Sequence, residues 1–303
     1  MRGALVFELN ACRNNCVFCG SQRKVSDIPV LEMKRIERLA LKHALELKNG
    51  GYDELEISGG DPVEYPRIAE FVRLLRGRLG FRSVQLSTHG CDLADPVLVD
   101  RLRSAGLTQY RIPFYGVTPK VHDAVTQRHG SFMETLRGIK NIRAQAPSSK
   151  IQITSLLMRQ NCRQVLRILR LAAEYADEIV FSIPCIPDIK GPMKFALSFD
   201  ELGSLARELL REAARIKRRV HILDVPFCAV GIFSPGLANK GGPPQLAPSY
   251  SVPDIFKTKT HGLPSYRVKR KVFQCGRCRV SGLCDGFYDS YLKIFDVAHF
   301  RPL

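Results

Sequence analysis

Six times between residues 4 and 183, a short apolar run precedes a stretch whose apolar residues recur at helical spacing. The strands predicted this way are Ala4–Leu9, Glu54–Ser58, Ser83–Ser87, Gln109–Phe114, Ile151–Met158 and Glu178–Ile183. The helices are Leu31–Lys48, Arg67–Leu79, Pro96–Ser104, Ser131–Gln145, Cys162–Tyr175 and Phe199–Arg215. Alternation at this spacing calls for parallel strands joined by helical crossovers. Six such units predict an α/β chain folded as a partial, TIM-like (β/α)6 barrel rather than a closed ring of eight. Reactive groups then gather at the C-terminal ends of the strands. Those ends carry the conspicuous residues: a cysteine loop, Gly59-Gly60-Asp61-Pro62, Thr88, Tyr115 and Cys185.

The cysteine loop, Cys12-Arg13-Asn14-Asn15-Cys16-Val17-Phe18-Cys19, places three thiols at Cx3Cx2C spacing. Three thiolates this close can hold three irons of a cubane cluster and leave the fourth without a protein ligand. An open iron serves chemistry, whereas a structural site closes its coordination. Zinc is the competing occupant. A structural zinc takes four ligands, usually as two CxxC or CxxH pairs. Here the third Cys stands alone, and the nearest His is His43, well into the next element.

The pattern Cx3CxΦC, with Phe18 as the aromatic, resembles the radical SAM superfamily, and the later motifs follow that family's order. The resemblance implies a 4Fe-4S cluster on Cys12, Cys16 and Cys19 whose open iron chelates S-adenosylmethionine (SAM). Reductive cleavage would give a 5′-deoxyadenosyl radical that takes a hydrogen atom from the substrate. The protein would contribute orientation and exclusion of water. It further implies that Phe18 lies beside the adenine. Gly59 and Gly60 would let the backbone approach the cofactor, and Asp61 would accept from the methionine ammonium. Thr88 would bond the methionine part or the ribose, and Ser155 a ribose hydroxyl. The family usually has Gly-Gly-Glu-Pro where this chain has Asp61, and many members carry Ser where Pro113 stands. The segment from Arg111 to Gly116, then His122-Asp123 and Gly130-Ser131-Phe132, is also similar to the family; His122-Asp123 reads as a brace for a turn. Cys91 and Cys162 read as small buried hydrophobes. Cys185 is the candidate to face substrate.

Beyond residue 217 the pattern changes, which predicts a core domain over 1–217 and a smaller domain over 218–303. Val220–Leu223 reads as a strand, and 234–264 as a long Pro/Gly-rich loop. Cys275, Cys278 and Cys284 supply three more thiols, and Cys228 can return a fourth. Four cysteines suit a fully ligated 4Fe-4S cluster or a structural zinc, and chemistry alone leaves both open. The run resembles a truncated SPASM/twitch extension, since Tyr288 stands where a full one has its next Cys. That implies one auxiliary 4Fe-4S cluster, which passes an electron or braces the domain.

The chain has 303 residues, ten of them Cys, and a formal net charge of +17. Clustered cysteines in an intracellular chain read as metal ligands rather than disulfides. No apolar run reaches the ~18 residues of a membrane span. The first strand starts too early to leave room for a signal peptide, so a cytoplasmic location is expected. The basic surface suits polyanions: an acidic electron donor such as a ferredoxin or flavodoxin, an acidic peptide, or RNA. Peptide or protein modification is the leading reading. RNA modification through the basic stretch Lys257–Arg279 is the alternative, and a non-catalytic zinc or iron–sulfur protein the third. Anaerobically purified protein should be brown and carry about eight irons per chain with little zinc; zinc without iron on elemental analysis would rule out the enzyme readings.

Overall fold

The computed structural model describes residues 2–7, 11–19, 25–184, 194–232, 237–238 and 269–303. Cys185 and most of the 234–264 loop lie outside the described residues. One parallel sheet runs in chain order through β1 (Arg2–Val6), β2 (Glu54–Ser58), β3 (Ser83–Ser87), β4 (Gln109–Pro113), β5 (Lys150–Leu156), β6 (Glu178–Ser182), β7 (Arg219–Leu223) and β8 (Leu237–Ala238). Among the described residues β1 and β8 pair only with β2 and β7, so the sheet is an open, partial barrel. The first six strands are the predicted ones, and β7 and β8 extend the sheet. The expected boundary at 217/218 therefore falls inside the sheet, because β7 pairs with β6 through Glu178↔Arg219 to Phe181↔Ile222.

The crossover helices are α1 (Val30–Asn49), α2 (Ile68–Arg73), α3 (Pro96–Ser104), α4 (Pro119–Thr126), α5 (Ser131–Gln145), α6 (Val165–Tyr175) and α7 (Phe199–Ala213). α1 shows why they pack: Ile36, Ala40, Ala44 and Leu47 form one buried stripe at i, i+4, i+8, i+11. The predicted helix Arg67–Leu79 changes character midway, continuing past α2 as a π turn over Leu74–Arg78. No helix among the described residues is long and apolar enough to cross a membrane.

Strand alternation sorts the two sheet faces. Leu55, Ile57, Val84, Leu86, Tyr110, Ile112, Ile151, Ile153, Ile179 and Phe181 are buried beneath the helices. The opposite face lines a polar lumen. Arg2 donates to Glu54, Gln85 and Gln109, and Arg111 bonds Glu56 and Gln152.

The C-terminal residues pack against this frame. α8 (Phe227–Val230) lies so close to α7 that a Cβ on Gly203 would stand 1.9 Å from the Ala229 carbonyl oxygen. A two-stranded antiparallel ribbon, β9 (Lys269–Arg270) with β10 (Phe287–Tyr288), leads into α9 (Asp289–Leu292). Phe199 of α7 meets Phe287 at 4.8 Å and Tyr291 at 5.3 Å between ring centroids. Lys269 reaches Asp224, just past β7, at 2.6 Å.

α4 is absent from the sequence reading. It starts with Pro119 at its first position and stops at Gln127 in the left-handed region (φ 53). Asp123 at its centre accepts from the backbone N–H of Gly130 and Phe132 and from the Ser131 hydroxyl, each at 2.8 Å, satisfying donors at the start of α5. The expected brace at His122-Asp123 is this contact. Burial works to raise the Asp123 carboxyl, but these three donors hold it below the ordinary carboxylate value. Its contribution is therefore complete above the unfolded value of about 3.9 and is lost as pH falls through the lower folded value. Asp123→Ala should cost about 1 kcal/mol and make acid unfolding less steep, as read from denaturant midpoints between neutral and acid pH.

Candidate active site

The cysteine loop is moored on three sides. Asp61 N–H donates to the Ala11 carbonyl (2.8 Å) and Arg13 N–H to Glu64 Oε1 (2.7 Å). Asn15 and Val17 N–H donate to Thr126 and Val125 of α4 at 2.9 and 3.0 Å. The glycines make the first mooring possible. Gly59 (φ +105) and Gly60 (φ +66) are left-handed, and a Cβ would meet Phe7 O at 2.4 Å and Ala11 O at 2.2 Å respectively. Their close approach is thus to the chain's own backbone at the entry of the loop; Gly60 also lines the cavity beyond it.

That cavity, about 240 Å³, lies at the C-terminal ends of β1 to β5. Cys12, Cys16, Cys19, Phe18, Asp61, Thr88, His89, Arg111, Tyr115, His122 and Thr154 all line it. Phe18 meets Tyr115 edge-on at 5.5 Å. Burial first, and then Cys12 and Cys19, push the Cys16 thiol up to about 12. Burial raises Cys12 as well, against an opposing pull from His89. Two buried thiols that resist ionising, with the Cys19 sulfur in the same cavity, call for a positive centre among them. The residues therefore fit a metal cluster.

Asp61 is held by donors within the fold. Its Oδ1 accepts from Val63 N–H (3.0 Å). Its Oδ2 accepts from the Thr88 hydroxyl (2.9 Å) and His89 N–H (2.8 Å), with His89 Nε2 at 3.0 Å. Burial works to raise this carboxyl, but His89 and Thr88 hold it below the ordinary range. Both oxygens are thus engaged by internal donors before any ammonium arrives. Thr88 is committed in the same way, also accepting from Gly90 N–H at 3.1 Å.

Ser155 does not line the cavity. It sits on the helix-facing side of β5 with its hydroxyl buried and without a partner, and alternation brings its neighbour Thr154 to the lumen instead. His122 is kept neutral: burial pushes it down to about 4, and its Nδ1 accepts from Tyr115 N–H at 3.3 Å. His89, Glu64, Arg13, Arg111 and Thr154 were not anticipated. Each is a lone polar residue in sequence, and only the strand ends' convergence joins them.

The second thiol set also comes together. Cys228 at the start of α8 shares a small apolar cavity with Cys275, Cys278 and Cys284, walled by Phe227, Phe287 and Phe300. Burial, then Cys284 and Cys275, push the Cys228 thiol up to about 12. Tyr288, in place of a further Cys, is buried with the Lys269 ammonium 5.0 Å from its ring centroid.

A family profile described as the radical SAM superfamily matches residues 9–172. The chain belongs to the radical SAM superfamily of enzymes. Its similarity to the AdoMet-dependent heme synthase of Methanosarcina barkeri is 31% identity over 186 residues, 59% of this chain and 50% of that protein. It is 24% identical over 211 residues to a probable GTP 3′,8-cyclase of Saccharolobus islandicus, covering 70% of this chain and 65% of that one. The chain thus spans half to two thirds of these relatives. SuiB of Streptococcus suis, solved with S-adenosylmethionine bound, shares the fold at a TM-score of 0.64 and 14% identity, over 100% of this chain and 76% of SuiB. For this radical SAM chain the moorings of the cysteine loop become testable. Gly60→Ala should force that loop away from the Gly-Gly-Asp turn and lower the iron bound after anaerobic reconstitution, with the C-terminal thiols still loading.

Proposed function

We propose that this radical SAM enzyme modifies a peptide or protein, using a 4Fe-4S cluster at Cys12, Cys16 and Cys19 and a second, auxiliary cluster at Cys228, Cys275, Cys278 and Cys284. The observation that carries the reading is the set of three thiols, Cys12, Cys16 and Cys19, lining one cavity at the C-terminal strand ends with no fourth cysteine beside them among the described residues. His89 is the nearest candidate, but its Nδ1 accepts from Cys91 N–H (3.0 Å) and its Nε2 lies 2.9 Å from Glu64. Both ring nitrogens are therefore engaged.

When bound, the cluster and S-adenosylmethionine supply one-electron reductive chemistry that removes a hydrogen atom from the substrate. The chain's own residues do the rest. Phe18 and Tyr115, packed edge-on, would shield a bound adenosyl group from water, and Thr154 would offer the hydroxyl expected of Ser155. Asp61 holds Thr88 and His89 so that the cavity keeps its shape. Arg111, fixed by Glu56 and Gln152, places a guanidinium at the cavity floor.

Tetrahedral sulfurs on one zinc stand about 3.8 Å apart at a Zn–S distance near 2.3 Å. Among the described residues, the one trio of candidate ligand atoms mutually within 4.8 Å is Cys12, Glu64 and His89, so neither cysteine set is drawn in to the spacing of a single ion. The peptide reading draws on the auxiliary set and on SuiB, which has been solved bound to its precursor peptide SuiA. Of the basic stretch behind the RNA alternative, three described cations are engaged within the fold. Lys269 pairs with Asp224, Arg270 with Asp289, and Lys271 with the Ser281 carbonyl. An acidic ferredoxin or flavodoxin in the cytoplasm is the proposed reductant, complementing the charge of +17.

Replacing Cys12, Cys16 and Cys19 with Ala should abolish 5′-deoxyadenosine formation from S-adenosylmethionine and dithionite. Replacing Cys275 and Cys278 should leave part of that cleavage but stop deuterium transfer from a labelled peptide substrate, followed by mass spectrometry. Full product formation in the second variant would remove the auxiliary set from turnover.

A further inference from the structure

Cys12 is set apart from the other two thiols of its loop by what surrounds it. Its sulfur, a Glu64 oxygen and a His89 nitrogen all lie within 4.8 Å of one another. Neither neighbour comes from the cysteine motif itself: Glu64 follows the Gly-Gly-Asp-Pro turn after β2, and His89 follows β3. Both are shielded, each side chain being 6% exposed.

The arrangement is rigid. Cys91 N–H occupies the lone pair of His89 Nδ1 at 3.0 Å, which puts the ring proton on Nε2. That single N–H is shared between Glu64 Oε1 at 2.9 Å and Asp61 Oδ2 at 3.0 Å. Glu64 is fixed in turn by Arg13 N–H at 2.7 Å and by the Arg13 guanidinium at 3.8 Å. The backbone N–H of the residue next to Cys12 therefore holds the carboxylate that stands beside Cys12. Sharing one proton between two carboxylates leaves negative charge next to the sulfur, in a place where water screens it little.

We propose that Glu64 and His89 are positioning residues that set the reduction potential of the cluster held at Cys12, Cys16 and Cys19, Glu64 lowering it and His89 raising it. The inference rests on the reading that these thiols hold a cluster. Reduction adds one electron to the cluster and breaks no bond. A fixed carboxylate destabilises that added charge, and the His89 N–H, bonded to that carboxylate, offsets part of its charge. Two oppositely acting groups on two separate loops give the chain a way to tune how readily the cluster is reduced without altering its ligands.

The test is a redox titration of the full chain, reconstituted anaerobically with iron and sulfide and followed by electron paramagnetic resonance. The signal of the N-terminal cluster is identified by its change on adding S-adenosylmethionine. Glu64→Gln keeps the oxygen that accepts from Arg13 N–H and removes only the charge, so its midpoint should move to more positive potential. His89→Ala should move it to more negative potential, and His89→Gln, which restores an N–H, should lie between His89→Ala and the wild type. Variants with wild-type iron content and an unchanged midpoint would overturn the proposal. So would shifts of Glu64→Gln and His89→Ala in the same direction, which would mark simple loosening of the loop. If His89→Ala takes up no iron, Glu64→Gln decides alone. A wild-type chain that binds no iron would overturn the underlying cluster reading instead.

Discussion

The carboxylate of Asp61, 1% exposed, is where three strand ends are tied together. A charge at that depth is costly unless it is fully partnered. It is partnered by the turn that follows it, through Val63, and by the end of β3, through Thr88 and His89. Its own backbone N–H holds the cysteine loop at Ala11. The placement of the thiols therefore descends from one buried anion. Asp, one carbon shorter than Glu, reaches these internal donors from the cavity wall.

The two faces of the sheet divide the work. Aliphatic and aromatic residues beneath the helices supply the hydrophobic burial. The lumen forgoes that contribution for a network of arginines, glutamates and glutamines that bond one another from strand to strand, several across an intervening strand. A closed eight-stranded barrel fills its centre with branched apolar side chains. Here the polar centre leads directly to the cavity floor, where Arg111 belongs to both.

Much of this was legible in the chain because period-two and helical spacing are local. All six predicted strands are present, and Cys228 lies in one cavity with Cys275, Cys278 and Cys284. What was not legible depended on parity or on contacts across the fold. Thr154 and Ser155 are both polar and adjacent, and which of them faces inward is decided by pairing with β4 and β6. α4 is too short to display a periodicity, so its hold on Asn15 and Val17 left no trace in sequence. Glu64 and His89 sit in different loops and acquire meaning only beside Cys12. β7 was recognised as a strand, but its pairing with β6 across the expected boundary is a contact that no local pattern displays.

The attachment of the cysteine loop to α4 also limits how the motif can be moved. Residues 11–19 borrow their shape from carbonyls in the fourth unit, a carboxylate in the second and a glycine pair after β2. Grafted alone onto another parallel barrel, the octapeptide would bring its sulfurs but none of the anchors that aim them. A transplant would have to carry the ends of four successive units, which makes the ligand loop a property of half the barrel rather than a portable peptide.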